Sequence, residues 1–172
     1  MTRALAAESG ADFWQAPVTL LPAAIRSPQS TLAAVLVGYV TAFVPSIALA
    51  ALVSLLLPDA AQPEFGPGSP VQFLLIAGFA PLLETLIMGV VLSLLLRIAS
   101  PTVAVLLSAG GWGLAHSAMA PAWGLVIWWP FLVFSVLFVA WRQRSWAAGF
   151  GVAAATHALQ NVGPALALLL AA

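Results

Sequence analysis

The chain contains no cysteine and no lysine, and charged side chains make up only 6% of its 172 residues. Without cysteine there is no disulfide framework, no thiolate metal site and no cysteine nucleophile. Five arginines are balanced by five acidic residues, so the formal net charge is zero. A chain with no excess of positive charge is a poor partner for nucleic acid or for an anionic surface. We therefore expect no nucleic-acid binding.

Hydrophobic residues, in contrast, make up 63% of the chain, and the mean hydropathy is +1.09. A soluble globular domain needs far less apolar surface, so the composition predicts an all-α, multi-pass bundle of transmembrane helices with the lipid bilayer as a partner. We assign residues 31–172 to one membrane-embedded helical domain. Residues 1–30, which mix acidic residues and prolines with short apolar pieces, are expected to form an interfacial or flexible N-terminal segment without a cleaved targeting peptide.

The hydrophobic runs predict about five spans, separated by short polar or proline-containing turns. Glycine and alanine are frequent in the third and fifth spans, where small residues allow helices to approach closely, and these two spans are therefore predicted to form the centre of the bundle. With a cytoplasmic N-terminus, all five arginines fall on the cytoplasmic side, in agreement with the positive-inside rule. The predicted spans are residues 31–57, 71–96, 101–119, 122–141 and 146–170.

Few polar residues interrupt these runs, and they recur at a similar depth. Glu84 is the only acidic residue within a long hydrophobic run, and His116 and His157 are the only histidines in the chain. Counted from the arginine-bearing ends at about 1.5 Å per residue, Glu84 and His116 lie roughly 20 Å deep, His157 roughly 16 Å and Asn161 roughly 22 Å. An ionisable side chain at membrane depth is rare, and its presence there indicates a functional site. These residues therefore predict one site built from three helices.

Two chemistries suit this set of side chains. In the first, Glu84 acts as a general base on water with help from His116, while His157 and Asn161 stabilise the oxyanion of a tetrahedral intermediate. In the second, Glu84, His116 and His157 are ligands of a catalytic zinc ion. We prefer the first, without a cofactor, because no helix carries a His-Glu-x-x-His pair. A purely structural role as polar contacts between helices is the simpler alternative.

Three short motifs around these residues resemble those of the CPBP (Abi) family of intramembrane endopeptidases, which includes the type II CAAX prenyl proteases and bacteriocin-processing proteins. Residues 80–89 (Ala-Pro-Leu-Leu-Glu-Thr-Leu-Ile-Met-Gly) are similar to the family's Glu-Glu-x-x-x-Arg motif, commonly preceded by Ala-Pro. Residues 112–116 (Trp-Gly-Leu-Ala-His) are similar to Phe-x-x-x-His, and residues 157–161 (His-Ala-Leu-Gln-Asn) to His-x-x-x-Asn. The likeness covers about residues 70–165.

The resemblance implies peptide hydrolysis in a membrane-embedded cavity, in a multi-pass protein of the bacterial plasma membrane. Its substrate would be a membrane-associated peptide or protein, such as a prenylated C-terminus or a bacteriocin leader. Glu84 and His116 would activate water, and His157 with Asn161 would form the oxyanion hole. The family has been described both as metalloproteases and as glutamic proteases, so the resemblance leaves zinc possible.

The chain departs from these motifs at three positions. Thr85 stands where the family has its second glutamate, Gly89 where it has arginine, and Trp112 where it has phenylalanine. Because Thr85 and Gly89 are four residues apart, both partners of a possible ion pair are missing together and no uncompensated charge remains. We assign Thr85 and Trp112 substrate-binding or supporting roles, with Trp112 as an aromatic wall beside His116. The alternatives are a non-catalytic scaffold or bacteriocin-immunity-type protein, and a proton-coupled transporter, for which no inverted repeat is visible.

Overall fold

A computed structural model describes residues 13–171, and these residues form helices and connecting turns without a strand. The prediction of an all-α fold is therefore confirmed. A 3₁₀ turn (Val18–Leu20) and a single helical turn (Ala23–Arg26) precede the long helices. The long helices are α1 (Thr31–Leu56), α2 (Pro70–Leu95), α3 (Pro101–Ser117), α4 (Gly124–Trp141) and α5 (Trp146–Leu170).

Serine residues begin four of these five helices. In each case the serine Oγ accepts a hydrogen bond from the backbone N–H three residues later, which satisfies one of the free donors of the first turn. Proline follows the serine directly in α2 and α3, at the helix position where its missing N–H costs least. The capping serines are Ser30, Ser69, Ser100 and Ser145.

Three helices, α1, α2 and α4, are long and apolar enough to cross a membrane. They contain 26, 26 and 18 residues, and the most apolar window of each has a mean hydropathy of 2.1. At 1.5 Å per residue even the shortest reaches about 27 Å, close to the thickness of the hydrocarbon core of a bilayer. These lengths and compositions indicate a membrane-embedded protein.

Helix α4 forms the centre of the bundle, and α1, α3 and α5 pack around it. Every residue from 130 to 141 is buried, as expected for a helix that is apolar on all sides. The prediction that the third and fifth spans form the centre is wrong, because their small residues contact α4 instead. Gly113 of α3 lies against the Gly124 backbone, and a Cβ at Gly149 of α5 would lie 2.7 Å from the Phe138 carbonyl oxygen.

The segment before α1 packs into the same core as the long helices. Trp14, Val18, Leu21 and Ile25, spaced by three or four residues, are all buried in that core. Part of the segment predicted to be interfacial or flexible is thus packed against the bundle. Residues 1–12, with Arg3, Glu8 and Asp12, lie outside the described residues.

Arginines gather at one end of the bundle. Arg144 donates to the Pro28 carbonyl, which joins the α4–α5 turn to the segment before α1. The backbone N–H of Gln15 donates to Thr102 Oγ1 at 2.8 Å, which brings the start of α3 to the same end. Asp59 lies in the α1–α2 connection, where the helices reach the opposite end.

Candidate functional site

The site begins with an irregular turn in α2 at Leu75–Phe79, where the helix widens to π geometry. The Ala80 N–H bonds to the Leu75 carbonyl five residues back, and the next donor in this register would be the Pro81 nitrogen, which carries no hydrogen. The Ile76 carbonyl is therefore free, and it accepts a hydrogen bond from Asn161 Nδ2 at 3.1 Å. This polar bond ties α5 to α2 beside the cavity.

All four side chains assigned to catalysis line one cavity of about 320 Å³. Glu84 comes from α2, His116 from the end of α3, and His157 and Asn161 from successive turns of α5. Most of the remaining wall is apolar, with contributions from α1 and α4 as well as from the α1–α2 connection. The shared depth inferred from the sequence thus corresponds to a shared cavity.

Glu84, His157 and Thr85 form a chain of polar contacts. Glu84 Oε2 lies 3.6 Å from His157 Nε2, and Thr85 Oγ1 lies 3.2 Å from His157 Nδ1. The distance of 3.6 Å is too long for a hydrogen bond, but the negative charge of an ionised Glu84 favours the tautomer of neutral His157 that carries its hydrogen on Nε2. Nδ1 then accepts from the Thr85 hydroxyl, which orients the ring. Thr85 is fully buried and lies behind the cavity wall rather than in it.

His116 is held in the opposite tautomer. Its Nδ1 lies 2.8 Å from the Trp112 carbonyl oxygen, which can only accept, so Nδ1 carries the hydrogen. Nε2 of the neutral ring is therefore an acceptor, as a water-orienting residue or a metal ligand requires. The Trp112 ring lies 5.8 Å from the imidazole, but it does not line the cavity. The aromatic wall there is Trp123, whose ring meets His116 edge to face at 4.8 Å.

Two phenylalanines of α4 pack against the imidazoles. The ring of Phe131 lies 5.4 Å from that of His116 and 5.2 Å from that of His157, and Phe134 stacks on His157 at 4.5 Å. The sequence offered no signal for these contacts, because Phe131 and Phe134 belong to a helix that is uniformly apolar. They fix the ring planes through aromatic packing.

Gln160 is a further cavity residue whose significance the sequence did not indicate. Gln160 lines the cavity next to the assigned residues, and its Oε1 is buried without a hydrogen-bond partner. A buried acceptor left unpaired costs about 1–3 kcal/mol.

The zinc hypothesis needs Glu84, His116 and His157 to converge on one ion. Glu84 and His157 are close enough to bind the same metal ion. Within residues 13–171, however, no three His, Cys, Asp or Glu side chains could hold one metal ion together. In this geometry His116 does not complete the set. His116 can still orient a water molecule and His157 can still donate to an oxyanion, because these roles do not require both rings to bind one ion.

No protein-family model, curated protein or solved structure matches the chain. The resemblance to the CPBP family therefore depends on the three short motifs alone.

Proposed function

We propose that the protein is a membrane-embedded endopeptidase of the CPBP type, in which Glu84 activates water for attack on a peptide carbonyl. The observation that carries this proposal is the convergence of four polar side chains from three helices on one cavity in an apolar bundle. Placing a carboxylate at membrane depth costs on the order of 2.5–3.5 kcal/mol. The Glu84 side chain is 27% exposed and lies 3.6 Å from His157, too far for a strong structural pair.

The tautomers support specific roles in hydrolysis. Glu84 takes a proton from water while the free Nε2 of His116 accepts that water's second hydrogen, and the hydroxide adds to the carbonyl carbon. His157 Nε2–H and the second Nδ2 hydrogen of Asn161 donate to the oxyanion. When the C–N bond breaks, the proton held by Glu84 passes to the leaving amine. Water is thus divided between the two products.

Gln160 and the apolar wall support a peptide substrate within the membrane. A primary amide in the cavity wall can donate a hydrogen bond to a peptide carbonyl through Nε2. The apolar wall favours substrates with hydrophobic flanks, delivered from the bilayer. We propose a membrane-associated peptide or protein on these grounds.

The departures from the family motifs are consistent with a retained site. Thr85 orients His157, and Gly89 lies where an added Cβ would be 2.7 Å from Phe138 Cε2. A side chain at Gly89 would therefore displace the Phe138 ring, and the Thr85 hydroxyl supplies a polar contact to His157 where the family has a carboxylate. Both replacements are compatible with a retained site.

The proposed topology has five spans with a cytoplasmic N-terminus, in a bacterial plasma membrane. Helix α3 has 17 residues, about 26 Å, at the lower limit for a transmembrane helix, and α5 has 25 residues, about 37 Å, which exceeds the thickness of the hydrocarbon core. These lengths support two further spans. Four arginines at one end of the bundle support a cytoplasmic location for that end. They are Arg26, Arg97, Arg142 and Arg144.

The test is hydrolysis by the full chain, purified in a neutral detergent and incubated with a library of hydrophobic, lipid-anchored peptides. Glu84→Gln keeps the shape and removes the base, and we expect it to lower the rate by about 10²–10⁴-fold. Glu64→Gln, in the exposed α1–α2 connection, is the matched control and should retain the rate.

The same assay separates the alternatives. A rate unaffected by a zinc chelator supports the glutamic mechanism, whereas loss on chelation and recovery with added zinc supports the metal mechanism. If Glu84→Gln and Glu64→Gln behave alike, Glu84 is not the base. If the folded wild-type protein cleaves no peptide, the non-catalytic scaffold is the better description.

A further inference from the structure

A second, open groove of about 440 Å³ lies at the arginine end of the bundle, away from the catalytic cavity. Arg97, just beyond the end of α2, and Arg142, just beyond the end of α4, both line it. Ser93 and Trp146 form another part of its wall, where Trp146 Nε1 donates to Ser93 Oγ at 3.2 Å. Two cations from different connections therefore face one surface groove.

These two arginines differ from the others in the described part of the chain. Arg26 and Arg144 donate to backbone carbonyls and so help to hold the fold together. Among residues 13–171, Arg97 and Arg142 form neither an ion pair nor a side-chain hydrogen bond, and Arg142 Nη1 is buried without a partner. Two guanidinium groups without an acceptor make this groove positively charged, so an anionic group bound in it would be stabilised.

The groove also has an apolar side that continues along α2. Val90 and Leu94, one helical turn apart, are 50% and 53% exposed and lead towards Arg97. Trp146 is 39% exposed at the start of α5, a position typical of tryptophan at the boundary between lipid and water. An amphiphile with an anionic head and an apolar chain matches this order of side chains.

We propose that this groove binds an anionic phospholipid, whose phosphate accepts hydrogen bonds from Arg97 and Arg142 while an acyl chain lies along Val90 and Leu94. Guanidinium groups suit a phosphate because their parallel N–H donors match its oxygens. Basic pockets at the cytoplasmic ends of membrane helices commonly bind such head groups. The net charge of zero gave no indication of this site, because a net charge sums all charged residues regardless of where they lie in the fold. The proposal does not depend on peptidase activity.

The test is native mass spectrometry of the full chain from a neutral detergent, with phosphatidylglycerol and phosphatidylcholine of the same acyl chains at equal concentration. We expect one phosphatidylglycerol to be retained per chain at concentrations where phosphatidylcholine is not. Arg97→Gln should weaken this binding about tenfold, the loss expected for one charge-assisted contact. Arg142→Gln should do the same, and Arg144→Gln, which removes the same charge outside the groove, should change it less than about twofold.

Each outcome bears on the proposal. Equal retention of the two lipids, or equal effects of Arg97→Gln and Arg144→Gln, would overturn it. Displacement of the lipid by millimolar inorganic phosphate would identify a soluble-anion site and overturn the lipid assignment. Because Arg97 is exposed and makes no side-chain hydrogen bond within residues 13–171, Arg97→Gln alone suffices if the Arg142 variant does not fold.

Discussion

Replacing Thr85 by valine removes one hydroxyl and leaves nearly the same side-chain shape. In the wild type this hydroxyl lies 3.2 Å from His157 Nδ1 and is fully buried. His157 is only 3% exposed, so no bulk water replaces the lost donor. Leaving Nδ1 unpaired is expected to cost about 1–3 kcal/mol of stability. Loss of the Thr85 donor also weakens the preference of His157 for hydrogen on Nε2. If the hydrogen bond contributes about 1 kcal/mol to this preference, its loss changes the tautomer ratio about fivefold.

The assay is ¹⁵N NMR of the purified protein with labelled histidine side chains. Since the chain has only two histidines, each can be assigned with a His→Gln variant. We expect wild-type His116 to carry its hydrogen on Nδ1 and wild-type His157 on Nε2. Thr85→Val should shift the His157 signals towards the other tautomer and leave the His116 signals unchanged.

Thr156→Val is the matched control, because Thr156 is equally buried and adjacent to His157 in sequence. Its hydroxyl donates to the Val152 carbonyl at 2.9 Å and not to the imidazole. This variant should change thermal stability without changing the His157 signals, and Thr85→Ser should retain the wild-type tautomer. The reasoning is refuted if His157 has the same signals in wild type and Thr85→Val, or if both wild-type histidines carry hydrogen on the same nitrogen.

Two further predictions concern α2. Gly89→Ala should lower the free energy of unfolding by about 1–3 kcal/mol, because the added Cβ would lie 2.7 Å from Phe138 Cε2. Gly111→Ala is the control, since no atom lies within 4 Å of its added Cβ, and it should not lower this free energy. Equal stabilities of the two variants would contradict the packing described around Gly89. Asn161→Ala should lower the free energy of unfolding by about 1–3 kcal/mol, because the Ile76 carbonyl of the irregular turn loses its hydrogen-bond donor. Pro81→Ala should reduce that loss by restoring a backbone donor, and a double-mutant cycle with no coupling between Asn161 and Pro81 would argue against this pairing.

Much of the site was predictable from local features of the chain. Polar residues are scarce within the apolar runs, so Glu84, His116 and His157 stood out. The constant rise of a helix converted their sequence positions into depths, and the cavity lined by all three agrees with that estimate. The roles of these residues in hydrolysis stay predictions, since neither the geometry nor the comparisons test them.

The contacts that tune the site were not predictable in the same way. A proline at position 81 of a regular α-helix would leave the Ala77 carbonyl without a donor, but the helix widens there and Asn161 donates to the Ile76 carbonyl instead. Thr85 was assigned a role beside the site without a named partner, and only the fold places its hydroxyl next to His157 Nδ1. Both bonds join residues more than 70 positions apart, and local periodicity contains no information about such pairs.

The sequence by itself determined the helical, membrane-embedded class and the positions of the long helices. Apolar runs, serine caps and prolines act within one or two turns of the chain, so a linear sequence contains them. Only the tertiary structure decided that α4 is the centre, that Phe131 supports both imidazoles, and that Arg97 and Arg142 share a groove. The hydropathy of an apolar residue does not indicate which helix it packs against. Helix packing is selected by steric fit between distant segments, and this fit exists only once the chain has folded.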